Sequence, residues 1–409
     1  MINFTVPQKV KILLLVLIFI VAGQSLSLLR AYPEKPPCGQ VIEVISKFHI
    51  LVNCDSAQFM KDADNPSRLV NGKSDYADRP MYATSANLMV RFLKILGTPD
   101  SRKLVRGISG ESYSYSLLTF LVYIFFNFLI LLSACFLAIN TLVRKFEGNV
   151  FKMEHKSLVL LVLSLTSLNE LTKTFFWTPH SQIFNIFFPI AAIHLISMNN
   201  TFIKSKKFYI LNFLIGIGLF YYPLFGLLYF ILVRFSIFNF KKRLFVVLVS
   251  LIPYLVYGRV VKNFGGVYRN ASVSKFREFV WPFDLFKSHD KVHFVWSKIY
   301  QIITSFPLIP VLIICLCLLF LFYKFGFKTL LKEEINLILF GFIYVIYIFG
   351  IGLGERRIAL GLVIFIGIAI LNFVAKRVER LPRTLLIGAG GVLLGFHAYS
   401  WILTNGPLY

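Results

Sequence analysis

A chain of 409 residues that is 57% hydrophobic, 16% aromatic and only 15% charged is excluded as a soluble globule, because surface-to-volume scaling leaves much of any globule facing water. Lipid removes that conflict, and 44 phenylalanines suit helices that face acyl chains and interfacial belts. The net charge of +24 does not form a nucleic-acid footprint: six short segments between apolar runs (1–11, 144–156, 200–207, 234–243, 324–334 and 376–383) hold 20 Lys and Arg against 5 Asp and Glu. Short basic loops mark the cytoplasmic face of a membrane protein, so no nucleic-acid partner is implied.

Apolar runs of about 20 residues read as membrane spans. In chain order they fall at 12–29, 115–143, 157–171, 183–199, 208–233, 244–258, 302–323, 335–353, 358–375 and 384–403. Residues 1–29, with Lys9 and Lys11 ahead of the apolar run, read as an uncleaved first span rather than a signal peptide, since no small-x-small cleavage site follows. The run 208–233 is interrupted by Tyr221-Tyr222-Pro223, and proline ends or kinks a helix at the preceding residue. Basic residues flank it on both sides: Lys204, Lys206 and Lys207 before, then Arg234, Lys241, Lys242 and Arg243 after. Two short helices returning to the cytoplasmic side satisfy the charge rule better than one span.

The expected fold is all-α, a single polytopic integral membrane domain over 1–409 with about eleven transmembrane helices. Its amino terminus is expected to be cytoplasmic and its carboxyl terminus extracytoplasmic. A long first extracytoplasmic loop, 30–112, carries surface helices, and a second long one covers 259–300. Segments 172–182 and 354–357 are short outer turns. Cys135, Cys315 and Cys317 lie in apolar runs as packing residues. Cys38 and Cys54 lie in the first long loop, where an oxidising compartment would permit a disulfide; two free thiols are the alternative.

The chemistry gathers in the outer segments. Asp55, Asp62, Asp64, Asp75 and Asp78 place five carboxylates within 24 residues, and loop 30–112 holds 9 of the chain's 19 acidic residues. Asp55 and Asp62 are seven apart and so share a helix face. A general base, with a divalent metal beside it as an option, is the functional reading; the alternative is a solvated loop whose acids pair with Lys61, Arg68, Lys73 and Arg79. Phe175-Phe176-Trp177-Thr178-Pro179-His180-Ser181-Gln182 falls at an outer helix junction, where His180 and Gln182 are placed to contact a polar substrate or hold a carboxylate. Loop 259–300 mixes 8 Lys and Arg, among them Arg259 and Lys262, with aromatic residues, a pattern suited to lying on a membrane surface. Arg356 and Arg357 sit in a very short outer turn, where two guanidinium groups can grip a phosphate or simply snorkel to the interface.

Cys54-Asp55-Ser56 followed by Phe59, then Asn65-Pro66, then Arg79-Pro80-Met81-Tyr82 resembles the bacterial pattern of the GT-C superfamily of membrane glycosyltransferases. The resemblance covers some forty residues closely and the hydropathy layout loosely. Asp55 stands farther from the first span than in the compact members. The resemblance implies sugar transfer from a polyprenyl-phosphate donor to a glycan, lipid or protein acceptor at the outer face of a bacterial plasma membrane. Asp55 would then be the base. Asp62, Asp78, Arg79, His180 and Gln182 would position acceptor or sugar, and Arg356, Arg357, Arg259 and Lys262 would hold the lipid phosphate. A monophosphate donor needs no obligatory cofactor; a pyrophosphate donor favours a divalent metal. Two other functions remain open on the sequence: a polysaccharide polymerase or ligase using undecaprenyl-linked glycans, and a non-enzymatic lipid or solute transporter or flippase. The marks expected of a transporter, internal repeats and charged midspan positions, are not found in the sequence.

Overall fold

The computed structural model describes residues 6–27, 40–45, 48–52, 54–71, 73–74, 76–106, 112–144, 153–198, 206–235, 239–264, 283, 290–306, 308–351 and 356–377. The proposed span 384–403, Cys38, the Cys54 side chain, the Arg356 side chain and most of 265–289 lie outside those residues.

Fourteen α-helices are described, in chain order α1 Val6–Ser27, α2 Cys54–Asp64, α3 Pro80–Ile95, α4 Leu117–Val143, α5 Met153–Ser167, α6 Glu170–Phe175, α7 Phe184–Ser197, α8 Lys206–Tyr221, α9 Leu228–Phe235, α10 Phe240–Asn263, α11 Asp290–Ser305, α12 Leu308–Phe325, α13 Phe327–Ile351 and α14 Arg356–Ala375. Four of these, α4, α10, α13 and α14, are long and apolar enough to cross a bilayer, and six apolar segments of 10–17 residues accompany them. The first long loop also forms two antiparallel hairpins that periodicity had not announced. β1 (Gln40–Ile45) pairs with β2 (Phe48–Val52), and β3 (Arg102–Arg106) with β4 (Ser112–Ser116). Their alternating and β-branched residues fit short ribbons, but each run is too brief to stand out beside the spans.

Burial separates the helices into core and lipid-facing sets. α7 is apolar on every side and buried almost throughout, the pattern of a helix enclosed by others. It packs between α4 and α14. The apolar window of α14 is 67% buried, whereas that of α10 is 11% buried, so α10 presents most of its surface outward. Phe188 anchors the centre, meeting Tyr344 edge-on at 5.4 Å and lying 6.0 Å from Phe340 and 6.1 Å from Phe225.

The Tyr221-Tyr222-Pro223 break is a reversal. α8 stops at Tyr221, a 3-10 turn covers Pro223–Leu227, and α9 starts at Leu228. The Tyr229 hydroxyl then reaches the Asn212 carbonyl in the middle of α8 (3.5 Å) and the Ser250 hydroxyl on α10 (2.9 Å), so α9 runs back along α8. The neighbouring run 302–323 divides: α11 ends at Ser305 and α12 begins at Leu308, flanking Pro307.

Helix termini are satisfied locally. The Ser116 hydroxyl accepts from the Thr119 amide (3.0 Å) at the start of α4. Asn169 and Thr172 form a reciprocal capping box on α6, and the Asn239 side chain accepts from the Lys242 amide at the start of α10 (2.9 Å).

α14 approaches α7 and α13 through Gly361. A β-carbon there would lie 3.1 Å from the Asn185 carbonyl oxygen and 2.5 Å from the Tyr344 hydroxyl. Gly361→Val is expected to force these helices apart, costing about 1–3 kcal/mol for overpacking. A lowered unfolding temperature in detergent checks this; an unchanged one would show that the helices can part freely.

Candidate functional site

At one end of the bundle, side chains from three separate segments converge on Asp55. Asp55 sits in the first turn of α2, where a carboxylate also meets the favourable end of the helix dipole. Its Oδ2 lies 2.9 Å from His180 Nε2. His180 precedes the short turn Ser181–Ile183, and its Nδ1 accepts from the Gln182 backbone N–H at 3.1 Å. That bond leaves the imidazole proton on Nε2, so His180 donates to Asp55. The Tyr76 hydroxyl donates to the same carboxylate, and the charge of Arg357, at the start of α14, falls on it as well.

Exposure divides the pair. The His180 side chain is 1% exposed, and that of Asp55 40%. Burial drives the His180 pKa down to about 4, with Asp55 opposing the shift and Arg357 and Arg79 adding to it. Burial alone would raise the Asp55 pKa, but the hydrogen bonds from His180 and Tyr76 and the nearby positive charge overcome it and hold the carboxyl well below its usual range. Burial and the Asp55 charge push the Tyr76 phenol upward, so it stays a donor. At neutral pH the site is therefore an ionised, half-exposed carboxylate held by two neutral donors.

The frame that holds this geometry is one face of α4. Tyr123 and Asn127 are four residues apart and share that face. The Tyr123 hydroxyl donates to the Phe59 carbonyl of α2 (3.0 Å). The Asn127 amide donates to the carbonyls of Phe175 (2.9 Å), Phe176 (2.9 Å) and Thr178 (3.0 Å), and its Oδ1 accepts from the Tyr82 hydroxyl of α3 (2.9 Å). Both the Asp55 helix and the His180 turn are thereby referred to the same two side chains. Aromatic rings close the box: Phe59 stacks on Tyr76 at 4.3 Å, and Phe175 and Phe59 lie 4.9 and 5.6 Å from the His180 ring.

Several of the other expected site residues have partners within the chain. Asp62 is fully buried and accepts from Arg68 Nε (3.1 Å), Gln58 (3.3 Å) and Ser74; it ties α2 to the following turn. Gln182 accepts from Asn185 and from the Tyr222 hydroxyl (2.8 Å), bracing the His180 turn against α7 and α8. Asp78 is buried, with Arg79 Nε 3.6 Å from its Oδ2. Arg79 donates to the Ser181 hydroxyl (2.8 Å) and lies over the Tyr222 ring at 5.1 Å. It thus clamps the Tyr76 turn to the His180 turn beside the dyad.

Arg259 and Lys262 belong to the final turns of α10, where both are exposed. The expected loop 259–300 therefore begins as helix. The same helix end packs Val261 against Ala77, two residues from Arg79. Tyr82, whose ring lies 5.3 Å from Phe59, joins Phe126, Leu129, Ile130, Phe184 and Tyr221 in lining an apolar cavity of about 260 Å³ against α4. Among the described residues, no group of three or more His, Cys, Asp or Glu is arranged to hold a metal ion.

Tyr76, Tyr123 and Asn127 join the site without being marked by residue type or spacing as chemical groups. Asn127 did carry a signal, a lone amide inside an otherwise apolar run, which in lipid calls for an internal partner. No family model matches the chain, and no curated protein or solved structure is significantly similar to it.

The low His180 pKa makes stability pH-dependent. Above pH 6.5 the ring is neutral both folded and unfolded. As pH falls toward 4 the unfolded chain binds the proton that the folded site refuses, so stability is lost across that window. At about 1.4 kcal/mol per unit, the loss is on the order of 3 kcal/mol. Unfolding temperatures in detergent between pH 7 and 4 should fall more steeply in the native chain than in His180→Gln. Parallel slopes would contradict a buried neutral imidazole.

Proposed function

We propose that this chain is a membrane glycosyltransferase of the GT-C type, moving a sugar from a polyprenyl-phosphate donor to an acceptor hydroxyl at the outer face of a bacterial plasma membrane. Eleven spans, with the amino terminus inside and the carboxyl terminus outside, belong to the same proposal. The observation that carries it is the half-exposed Asp55 carboxylate, gripped by Tyr76 and neutral His180 and flanked by Arg79 and Arg357. The apolar cavity lined by Tyr82, whose ring lies 5.3 Å from Phe59 of the Asp55 helix, supports a donor whose tail is greasy.

In this reaction the acceptor oxygen attacks the anomeric carbon, and the bond from that carbon to the phosphate oxygen breaks. The electron pair of that bond leaves with the lipid phosphate, and the acceptor proton passes to Asp55. A carboxylate of depressed pKa is a weak base, so it takes the proton late, once the new bond has made the acceptor oxygen strongly acidic. An oxocarbenium-like transition state has that character. His180 and Tyr76 orient the carboxylate and keep it ionised. Arg357 and Arg79 counter the charge that develops on the departing phosphate. Asp62 and Gln182 act by holding the turns that carry these groups.

Purified protein in lipid nanodiscs, supplied with a panel of polyprenyl-phosphate sugars, tests the reading through release of the lipid phosphate. Asp55→Asn should lower turnover about a hundred- to ten-thousand-fold, the range for loss of a general base, with donor affinity nearly unchanged. Arg357→Gln should weaken donor binding about tenfold or more, as expected for a lost charge-assisted hydrogen bond. Full turnover in Asp55→Asn would remove the mechanism.

A further inference from the structure

The end of the bundle opposite Asp55 holds a second cavity with a different character. α14 fixes the separation. Its start carries Arg357, and just past its end Lys376 pairs with Glu334 of α13 while Arg377 pairs with Glu333. The 19 residues from Arg357 to Ala375 rise about 28 Å at 1.5 Å per residue, close to the thickness of a bilayer's hydrocarbon core. Asn336 lies two residues beyond Glu334, at that far end. Beside it, Arg234 closes α9 and Arg243 opens α10.

Arg234, Arg243 and Asn336 share the wall of a cavity of about 360 Å³ with Phe230, Phe340 and Ile343, a size within the usual range for bound small molecules of about 300–1,000 Å³. Arg243 is fixed in place, donating to the Val233 carbonyl at 2.6 Å. The Arg234 side chain is exposed at the rim, and Lys241 and Lys242 stand exposed close by in sequence. Among the described residues lining the cavity the only charged ones are these two arginines. Phe340 reaches into the core of the bundle, 5.4 Å from Phe365. The arrangement is a cationic, amide-bearing rim over a slot of aromatic and aliphatic side chains, set one hydrocarbon thickness from the other polar end.

We infer that this cavity is a binding site for a single anionic phospholipid of the leaflet opposite the Asp55 site, its phosphate between Arg234 and Arg243 and the start of one acyl chain against Phe230, Phe340 and Ile343. Charge complementarity selects the occupant. A zwitterionic lipid brings a cation that two arginines repel, whereas an anionic headgroup meets donors in the geometry guanidinium groups favour. Asn336 supplies an amide for the headgroup. The site is independent of any catalytic role for Asp55, since it lies on another set of helix ends.

Native mass spectrometry of the full-length chain in detergent, titrated with phosphatidylglycerol or phosphatidylcholine, tests this. One phosphatidylglycerol should be retained at least about fivefold more tightly than phosphatidylcholine, and Arg234→Gln should lower its affinity about fivefold, the effect of one cation near an anionic lipid surface. Because Arg234 is exposed, the lipid-free unfolding temperature of that variant should match the native one. Ile343→Trp, which fills the slot without altering charge, should abolish the tight lipid. Equal retention of the two lipids, unchanged binding in Arg234→Gln, or displacement of phosphatidylglycerol by a polyprenyl phosphate at lower concentration would each overturn the assignment.

Discussion

Backbone carbonyls in an apolar surround must find donors, and on α4 two side chains supply them. The end of α6 and the turn after it have three carbonyls, those of Phe175, Phe176 and Thr178, that all meet the Asn127 amide. Leaving even one such group unsatisfied in a dry interior costs several kcal/mol. The turn is therefore held where Asn127 is. Tyr123, one helical turn away, does the same for the Phe59 carbonyl, and Phe59 lies one turn after Asp55 on α2. The meeting of Asp55 with His180 follows from these bonds.

The electrostatics of the site are a consequence of that placement. The Gln182 amide claims Nδ1 of His180, so the ring has one tautomer available while it donates to Asp55. Burial keeps it uncharged. The positive charge of Arg357 also acts on Asp55, and an arginine stays charged at any physiological pH. Arg79 is braced by Ser181, and Arg357 by its place at the start of α14. The same helix α14 ends at the Glu333, Glu334, Lys376 and Arg377 ion pairs. One buried helix thus sets the distance between two polar ends, each carrying guanidinium groups.

Much of the helical layout was legible because apolar periodicity and proline are local signals. The reversal at Tyr221-Tyr222-Pro223 came directly from a proline between two flanks of basic residues, and the structure turns there. Asp55, Arg79, His180 and Arg357 were all singled out by residue type and position, and the structure brings them together. His180 is expected to hold a carboxylate, but no spacing rule names Asp55, 125 positions away, as its partner; the frame that joins them through Tyr123 and Asn127 is non-local and escaped. Asp62 is an acid close to Asp55 in sequence, and its three intramolecular donors are likewise set by the fold and not by any local pattern. Arg259 and Lys262 were read as loop residues because charge ends an apolar run, whereas α10 continues through them to Asn263. The hairpins at Gln40–Val52 and Arg102–Ser116 were hidden by their brevity.

The central claim is that α4 holds His180 as a neutral ring whose Nε2 proton points at Asp55. Nitrogen-15 chemical shifts of His180 in the full-length chain at pH 7 read this directly. The account predicts a protonated Nε2 and an unprotonated Nδ1, with that signature lost when Asn127→Leu removes the amide shared by the Phe175, Phe176 and Thr178 carbonyls. An imidazolium, a proton on Nδ1, or an unaltered spectrum in the Asn127 variant would contradict it.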